Sequence, residues 1–313
     1  MGAKQGRPGN RSAGGPPAAS RSSAQRQQAT KRALATARGG RWGRGRLWIT
    51  VVPVAWVLVL IALLVTVKVT STSATASGVP AGAAPASVVN AVAGVPAATL
   101  NTIGAGSAGQ KPFNSLPTTV SGGAALTSAG LPQVLYVGAE YCPYCAAERW
   151  AVAVALSHFG TLHSVGTTAS SPSDVYPNTA SLSFHGTTFS SSVVAFNGYE
   201  LFSNQAQGSG FATLDTLSSA DNALFQSAGG SFPFVDIGGQ YVISGATFSP
   251  QLLAGLSVNQ IAAALSDPTS AVAKAIDGSA NVITAAICAT TGQQPAAVCT
   301  SPGVVAGQAK LGG

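Results

Sequence analysis

Charge is what this sequence has least of: only 8% of its 313 residues are Asp, Glu, Lys or Arg, against roughly 25% in an average soluble domain. Aromatic residues make up 7%, and there are four cysteines and three histidines. Each shortage narrows the chemistry. His158, His163 and His185 stand at no ligand-like spacing from the cysteines. Ten residues separate Cys288 from Cys299, unlike the usual zinc-ligand spacing of about two to four. A metal centre is therefore not expected. No phosphate-cradling glycine loop, no pair of neighbouring carboxylates and no G-x-S-x-G elbow occurs, which argues against nucleotide, glycoside and serine-hydrolase chemistry.

The few charges are unevenly placed. Residues 1–46 hold eleven Lys/Arg and no acid, whereas residues 47–313 hold five basic and nine acidic residues, a net of −4. The overall +7 is thus the property of an arm, and the remainder has no basic face for nucleic acid. After the arm comes LWITVVPVAWVLVLIALLVTV, residues 47–67, with no charge. As a helix it would span about 31 Å, the thickness of a hydrocarbon core. Trp48 falls where an interfacial aromatic belongs and Lys68 marks the far edge. The apolar core and its prefix are both longer than a cleaved signal peptide uses, although Ala74-Thr75-Ala76 offers a cleavage-like site. The positive-inside rule puts the disordered basic tail, residues 1–46, in the cytoplasm and the C-terminal part outside the cell membrane. That is a compartment where disulfides persist.

Between residues 70 and 117, 34 of 48 residues are Ala, Gly, Pro, Ser or Thr and one, Lys111, is charged. Residues 68–117 therefore read as a flexible linker, residues 118–302 as an α/β domain, and residues 303–313 as a disordered tail. Within the domain, QVLYVG at 133–138 has the pattern of a buried strand and 143–159 that of a largely buried helix led by Pro143. Strands are expected at 181–185 and 193–202, and a helix at 214–228. SFPFVDIGGQYVISG at 231–245 reads as two strands turning at Gly238-Gly239. Residues 250–289 follow as a helical C-terminal extension, with breaks at Asp267-Pro268 and Asp277-Gly278.

The chemistry-bearing stretch is VGAEYCPYCAAERW, residues 137–150. It places Cys142 at a helix N-terminus, where free N–H groups and the helix dipole favour a thiolate, and Cys145 one turn on. Cys142 is then the candidate nucleophile and Cys145 the resolving thiol. Glu140 is either a proton carrier or a surface residue, and Tyr144 either controls access to Cys142 or packs. Cys288 and Cys299 would close a short loop as a structural disulfide, or serve as a second redox couple.

The order strand, C-x-x-C, helix, then proline, strand, turn, strand resembles thioredoxin-like oxidoreductases. Ala139-Glu140-Tyr141-Cys142 is similar to the opening of the thioredoxin active site, and Cys142-Pro143-Tyr144-Cys145 is identical to the glutaredoxin motif. That resemblance implies a cis-proline at Pro233 facing the C-x-x-C helix. Two departures stand out: Tyr136 occupies the place of the buried acid six residues before the first cysteine, and Phe232 precedes the proline. Across residues 131–302, GAEYCPYCAAERW, DVYPNT, FVDIGGQYVISGA and AAICATTGQQPAAVC resemble domain-of-unknown-function family 929, a membrane-associated group, which implies a thioredoxin-like fold without naming a substrate. The chain thus reads as a membrane-anchored extracytoplasmic thiol–disulfide oxidoreductase that needs no cofactor beyond its cysteines. Its expected partners are the bilayer, protein thiols or disulfides, and a redox partner that resets the pair. A non-catalytic scaffold with permanent disulfides and a thiol-based metal-handling protein are the competing readings.

Overall fold

The computed structural model describes residues 78–113 and 115–311. The basic tail 1–46 and the expected membrane span 47–67 lie outside the described residues. In chain order the elements are β1 (Gly82–Ala83), α1 (Ala86–Ala93), α2 (Ala97–Ile103), β2 (Thr118–Thr119), β3 (Thr127–Ser128), β4 (Leu131–Gly138) and α3 (Pro143–Ser157). Then come β5 (Thr161–His163), β6 (Gly166–Ala169), β7 (Ala180–Ser183), β8 (Thr188–Ser190), β9 (Ala195–Glu200), β10 (Phe202–Gln207) and β11 (Gly210–Thr213). The chain continues with α4 (Ser219–Ser227), β12 (Phe234–Ile237), β13 (Tyr241–Ser244), a 3-10 turn at Pro250–Leu253, α5 (Val258–Ala264), α6 (Ala271–Thr290), α7 (Ala296–Cys299) and α8 (Pro302–Gln308).

Strand β4 is the axis of this mixed α/β fold. Val134, Leu135, Tyr136 and Val137 are all fully buried, which is what an apolar run covered on both faces requires. β9 lies parallel to it on one edge, and β12 antiparallel on the other with Phe234 opposite Val137. β13 and β2 extend the sheet beyond β12. Because successive side chains point to opposite faces, the core divides in two. Val134, Tyr136, Val235 and Ile237 join the cluster that contains Trp150 of α3 and Ile283 of α6. Leu135, Val137 and Phe234 meet Phe225 of α4. The turn between β12 and β13 holds Gly238 at φ 64° and Gly239 at φ 70°, a left-handed backbone that glycine adopts without steric cost.

Helix α3 is buried from Cys145 through Leu156, in keeping with its apolar sequence. α6 is the one helix among the described residues long and apolar enough to cross a membrane, but 89% of its apolar window is buried inside the domain. It is a core helix. Its end is tied to α7 by a Cys288–Cys299 disulfide, and both cysteines are buried.

Four expectations are corrected. Of the linker expected over 68–117, residues 68–77 lie outside the described residues, and the described part is not free: α1 and α2 pack into the domain through Val88, Val92 and Leu100. Ala, the commonest of the small residues that suggested disorder, is a good helix former, and Val88 and Val92 sit one turn apart on a single face. Asn281 of α6 donates to the carbonyls of Leu100 and Gly104, tying the end of α2 to α6. The tail 303–313 is likewise ordered through residue 311, because α8 docks on α6 with Val304 buried. A Cβ on Gly307 would lie 2.5 Å from the Asn281 carbonyl oxygen, so glycine is what lets these helices touch. Finally, Asp277-Gly278 does not interrupt the C-terminal helix but lies inside α6, where Gly278 gives room to the Ala105 carbonyl. The helix expected over 214–228 is shorter, beginning after the Ser218 cap.

Candidate functional site

β4 delivers the chain to Cys142, which is the N-cap of α3, with Pro143 in the first turn. The Cys145 backbone N–H donates to Cys142 Sγ at 3.4 Å, the place where a cap side chain satisfies an orphan donor. Both cysteines are free thiols, and they differ in environment. Cys142 retains 6% exposure and Cys145 none. A hydrogen bond from the Cys145 thiol, backbone N–H groups of the first turn and the nearby Arg149 hold the Cys142 thiol below its ordinary value in spite of burial. Burial pushes the Cys145 thiol well up, and the adjacent Cys142 adds to the rise. One sulfur is therefore prepared to ionise and the other to wait protonated.

Beneath the pair lies a charged group that sequence reading missed. Arg149, one turn after Cys145 on α3, is fully buried. Its Nε is 2.9 Å from Glu200 Oε1 at the end of β9, and its Nη atoms donate to the carbonyls of Leu182 (2.8 Å) and Ala139 (2.9 Å). Nε also approaches the Tyr136 hydroxyl at 3.3 Å, and that hydroxyl lies 3.5 Å from the Cys145 carbonyl. Burial acts to lower the Arg149 pKa, but Glu200 and its neighbours more than reverse this. Burial pushes Glu200 up to about 7 against the pull of Arg149. These shifts favour opposite states of the pair. The ionised pair is the better description, because a buried guanidinium cannot shed its proton and needs a counter-charge. A lone arginine within an apolar helix was the available sequence signal.

The other sequence-derived candidates fall into place around this centre. Glu140 is not a surface residue: it is 1% exposed and accepts a 2.7 Å hydrogen bond from Ser183, close enough to Arg149 to act on its charge. The Phe232–Pro233 peptide is cis, and Phe232 packs on the cluster formed by Ala139, Cys142 and Cys145. Since Phe234 pairs with Val137, Pro233 stands beside the end of β4 that leads to Cys142. Tyr144 joins an aromatic trio with Phe113 and Tyr176, each ring centroid 5.9 Å from its own. Tyr176 belongs to the DVYPNT stretch, whose loop is tied to the site by the Ser171 N–H donating to the Tyr141 carbonyl. Tyr141 belongs to a second ring group: it stacks on Phe211 at 4.1 Å and lies near Phe202 and Phe232.

The histidines are elsewhere. His158 is hydrogen-bonded to Thr284, and burial lowers its pKa to about 4. His163 meets Ser190 and His185 meets Asp215. Among the described residues no three His, Cys, Asp or Glu side chains converge as a metal-ligating set. The Cys288–Cys299 bond joins α6 and α7, in neither of the elements that carry the C-x-x-C pair.

Compared with known proteins, the chain matches one family model, described as Domain of unknown function (DUF929), over residues 119–213 and 217–289. No curated protein and no solved structure matches it. The chain belongs to the DUF929 family.

Proposed function

We propose that this DUF929 protein is a thiol–disulfide oxidoreductase that works through Cys142 and Cys145. The observation that carries the reading is the asymmetry of the pair: a Cys142 thiol lowered at a helix N-terminus beside a fully buried Cys145 held up. A low first thiol provides the attacking thiolate, and a protonated second thiol delays resolution until a mixed disulfide has formed. The parallel β4–β9 pair, the antiparallel β12–β13 hairpin led by a cis-proline, and the C-x-x-C helix together support a thioredoxin-like reading of the fold. The apolar run at 47–67 supports a single-pass anchor with the domain on the extracytoplasmic side. The protein would there meet protein thiols and disulfides, with a separate redox partner resetting it.

The test is a trapping experiment in native membranes. In a full-length Cys145→Ala chain the mixed disulfide on Cys142 cannot resolve, so covalent adducts should accumulate and vanish with reductant. Alkylation of Cys142 in the wild type should follow a pKa below the ordinary value of about 8.5. No adducts, together with a thiol that titrates at or above that value, would leave the scaffold reading in its place.

A further inference from the structure

We infer that the substrate of this site is a polypeptide disulfide with an aromatic or apolar side chain beside the reacting cysteine, and not a small anionic thiol compound. The inference rests on the redox reading above and names what that chemistry would act on. Cys142 shows only 6% of its surface, and the side chains packed against the cysteine cluster are the rings of Tyr141, Tyr144, Phe202 and Phe232. Whatever reaches the sulfur exchanges contacts with those rings. Tyr141 and Phe211 lie flat on one another, with 11° between their planes, and form a half-buried aromatic platform beside the nucleophile. From Phe202 a groove of about 410 Å³ continues past Leu201, Thr213 and Leu217 to Asn222. That is space for residues that follow one another away from a cysteine, which a polypeptide has and a small thiol lacks.

Charge points the same way. Asp174 lies near enough to act on both Tyr141 and Tyr144, and Asp215 lines the groove. The described residues hold four Lys and Arg side chains, Lys111, Arg149, Lys274 and Lys310. Arg149 is buried against Glu200, and none of the four lines the groove. Lys111 comes nearest along the chain, two positions before Phe113 of the Tyr144 trio. Glutathione carries two carboxylates, which such a site repels, whereas a peptide with a neutral or basic flank suits it.

The reaction on such a substrate balances without a further reagent for one turnover. The Cys142 thiolate attacks one substrate sulfur, the S–S bond breaks, and the other substrate sulfur leaves and takes a proton. Cys145 then loses its proton and attacks Cys142 Sγ, closing the Cys142–Cys145 bond and releasing the second substrate sulfur as a thiol. Two electrons pass from the protein to the substrate.

The test uses the reduced full-length chain in detergent with three oxidised probes. These are a peptide disulfide with Phe beside the cysteine and Lys beyond it, the same peptide with Ser for Phe, and oxidised glutathione. The Phe peptide should be reduced about tenfold faster than the Ser peptide, the scale of an aromatic contact, with glutathione the slowest. In Phe211→Ala the advantage of Phe over Ser should shrink toward one, and Phe202→Ala should act in the same direction. Equal rates for all three probes, glutathione as the fastest, or a full Phe preference surviving in both variants would overturn the inference while leaving the redox reading intact. Failure of the wild type to reduce any probe would instead sink the redox reading, and this inference with it.

Discussion

Asp277 allows a sharp test of how this fold treats charge. It lies in the middle of α6, is 0% exposed, and neither carboxyl oxygen has a hydrogen-bond partner. Burial pushes its pKa from 3.8 up to about 8. The folded chain therefore keeps this proton below about pH 8, whereas the unfolded chain gives it up above about pH 4. Stability is greatest at low pH and falls as pH rises between those limits, by about 1.4 kcal/mol per pH unit for one proton. Over the three units from pH 5 to pH 8 Asp277 alone should cost on the order of 4 kcal/mol. Asn has the same shape and does not titrate, so Asp277→Asn should remove this slope whatever constant offset the amide introduces. The assay is urea unfolding of wild type and variant at pH 5, 6, 7 and 8, taking the difference in unfolding free energy at each pH. Glu148, pushed to about 7, and Asp236, pushed to about 6, tilt both proteins in the same sense and cancel in that difference. The variant should gain steadily on the wild type with rising pH. A difference that stays flat within about 1 kcal/mol from pH 5 to pH 8 would refute the reasoning, since it would mean Asp277 ionises without penalty inside the fold.

Arg149→Met should destabilise the domain by about 3–5 kcal/mol, because it leaves Glu200 buried with no counter-charge, and should raise the pH at which Cys142 is alkylated. Adding Glu200→Gln should recover much of the stability and none of the thiol shift, which unfolding and alkylation profiles of the single and double variants would show. Replacing Cys288 and Cys299 together by Ala should cost about 3 kcal/mol for so short a closed loop. If the pair is structural, Cys142 in that variant should still exchange with a disulfide probe, and loss of exchange in a folded double variant would favour the second-couple alternative.

What could be read from the sequence was local. The strand, the Cys142–Cys145 pair and α3 follow one another within 27 residues, and each announces itself by apolar pattern, proline placement or helix-start chemistry. The β12–β13 hairpin was legible because its turn is two adjacent glycines that both need positive φ. The parts that were illegible are assembled across distance. Arg149 and Glu200 meet only because β9 lies parallel to β4 with Glu200 opposite Gly138, a register that no local pattern encodes. The rings that back Tyr141 and Tyr144 arrive from Phe113, Tyr176 and Phe211, three separate segments, one of which looked like linker. That misreading has a physical cause: average composition registered many small residues, while the spacing of Val88 and Val92 decides which face of α1 is buried. The low charge content also takes on a different sense in three dimensions. All nine acids are among the described residues, and six of them, Glu140, Glu148, Glu200, Asp221, Asp236 and Asp277, are buried. Interiors ordinarily exclude such groups unless they are paired or hydrogen-bonded. In a chain with so few charges, then, the position of each one carries information. The cluster of Glu140, Arg149 and Glu200 beneath the C-x-x-C pair is where interior charge bears directly on a reactive atom.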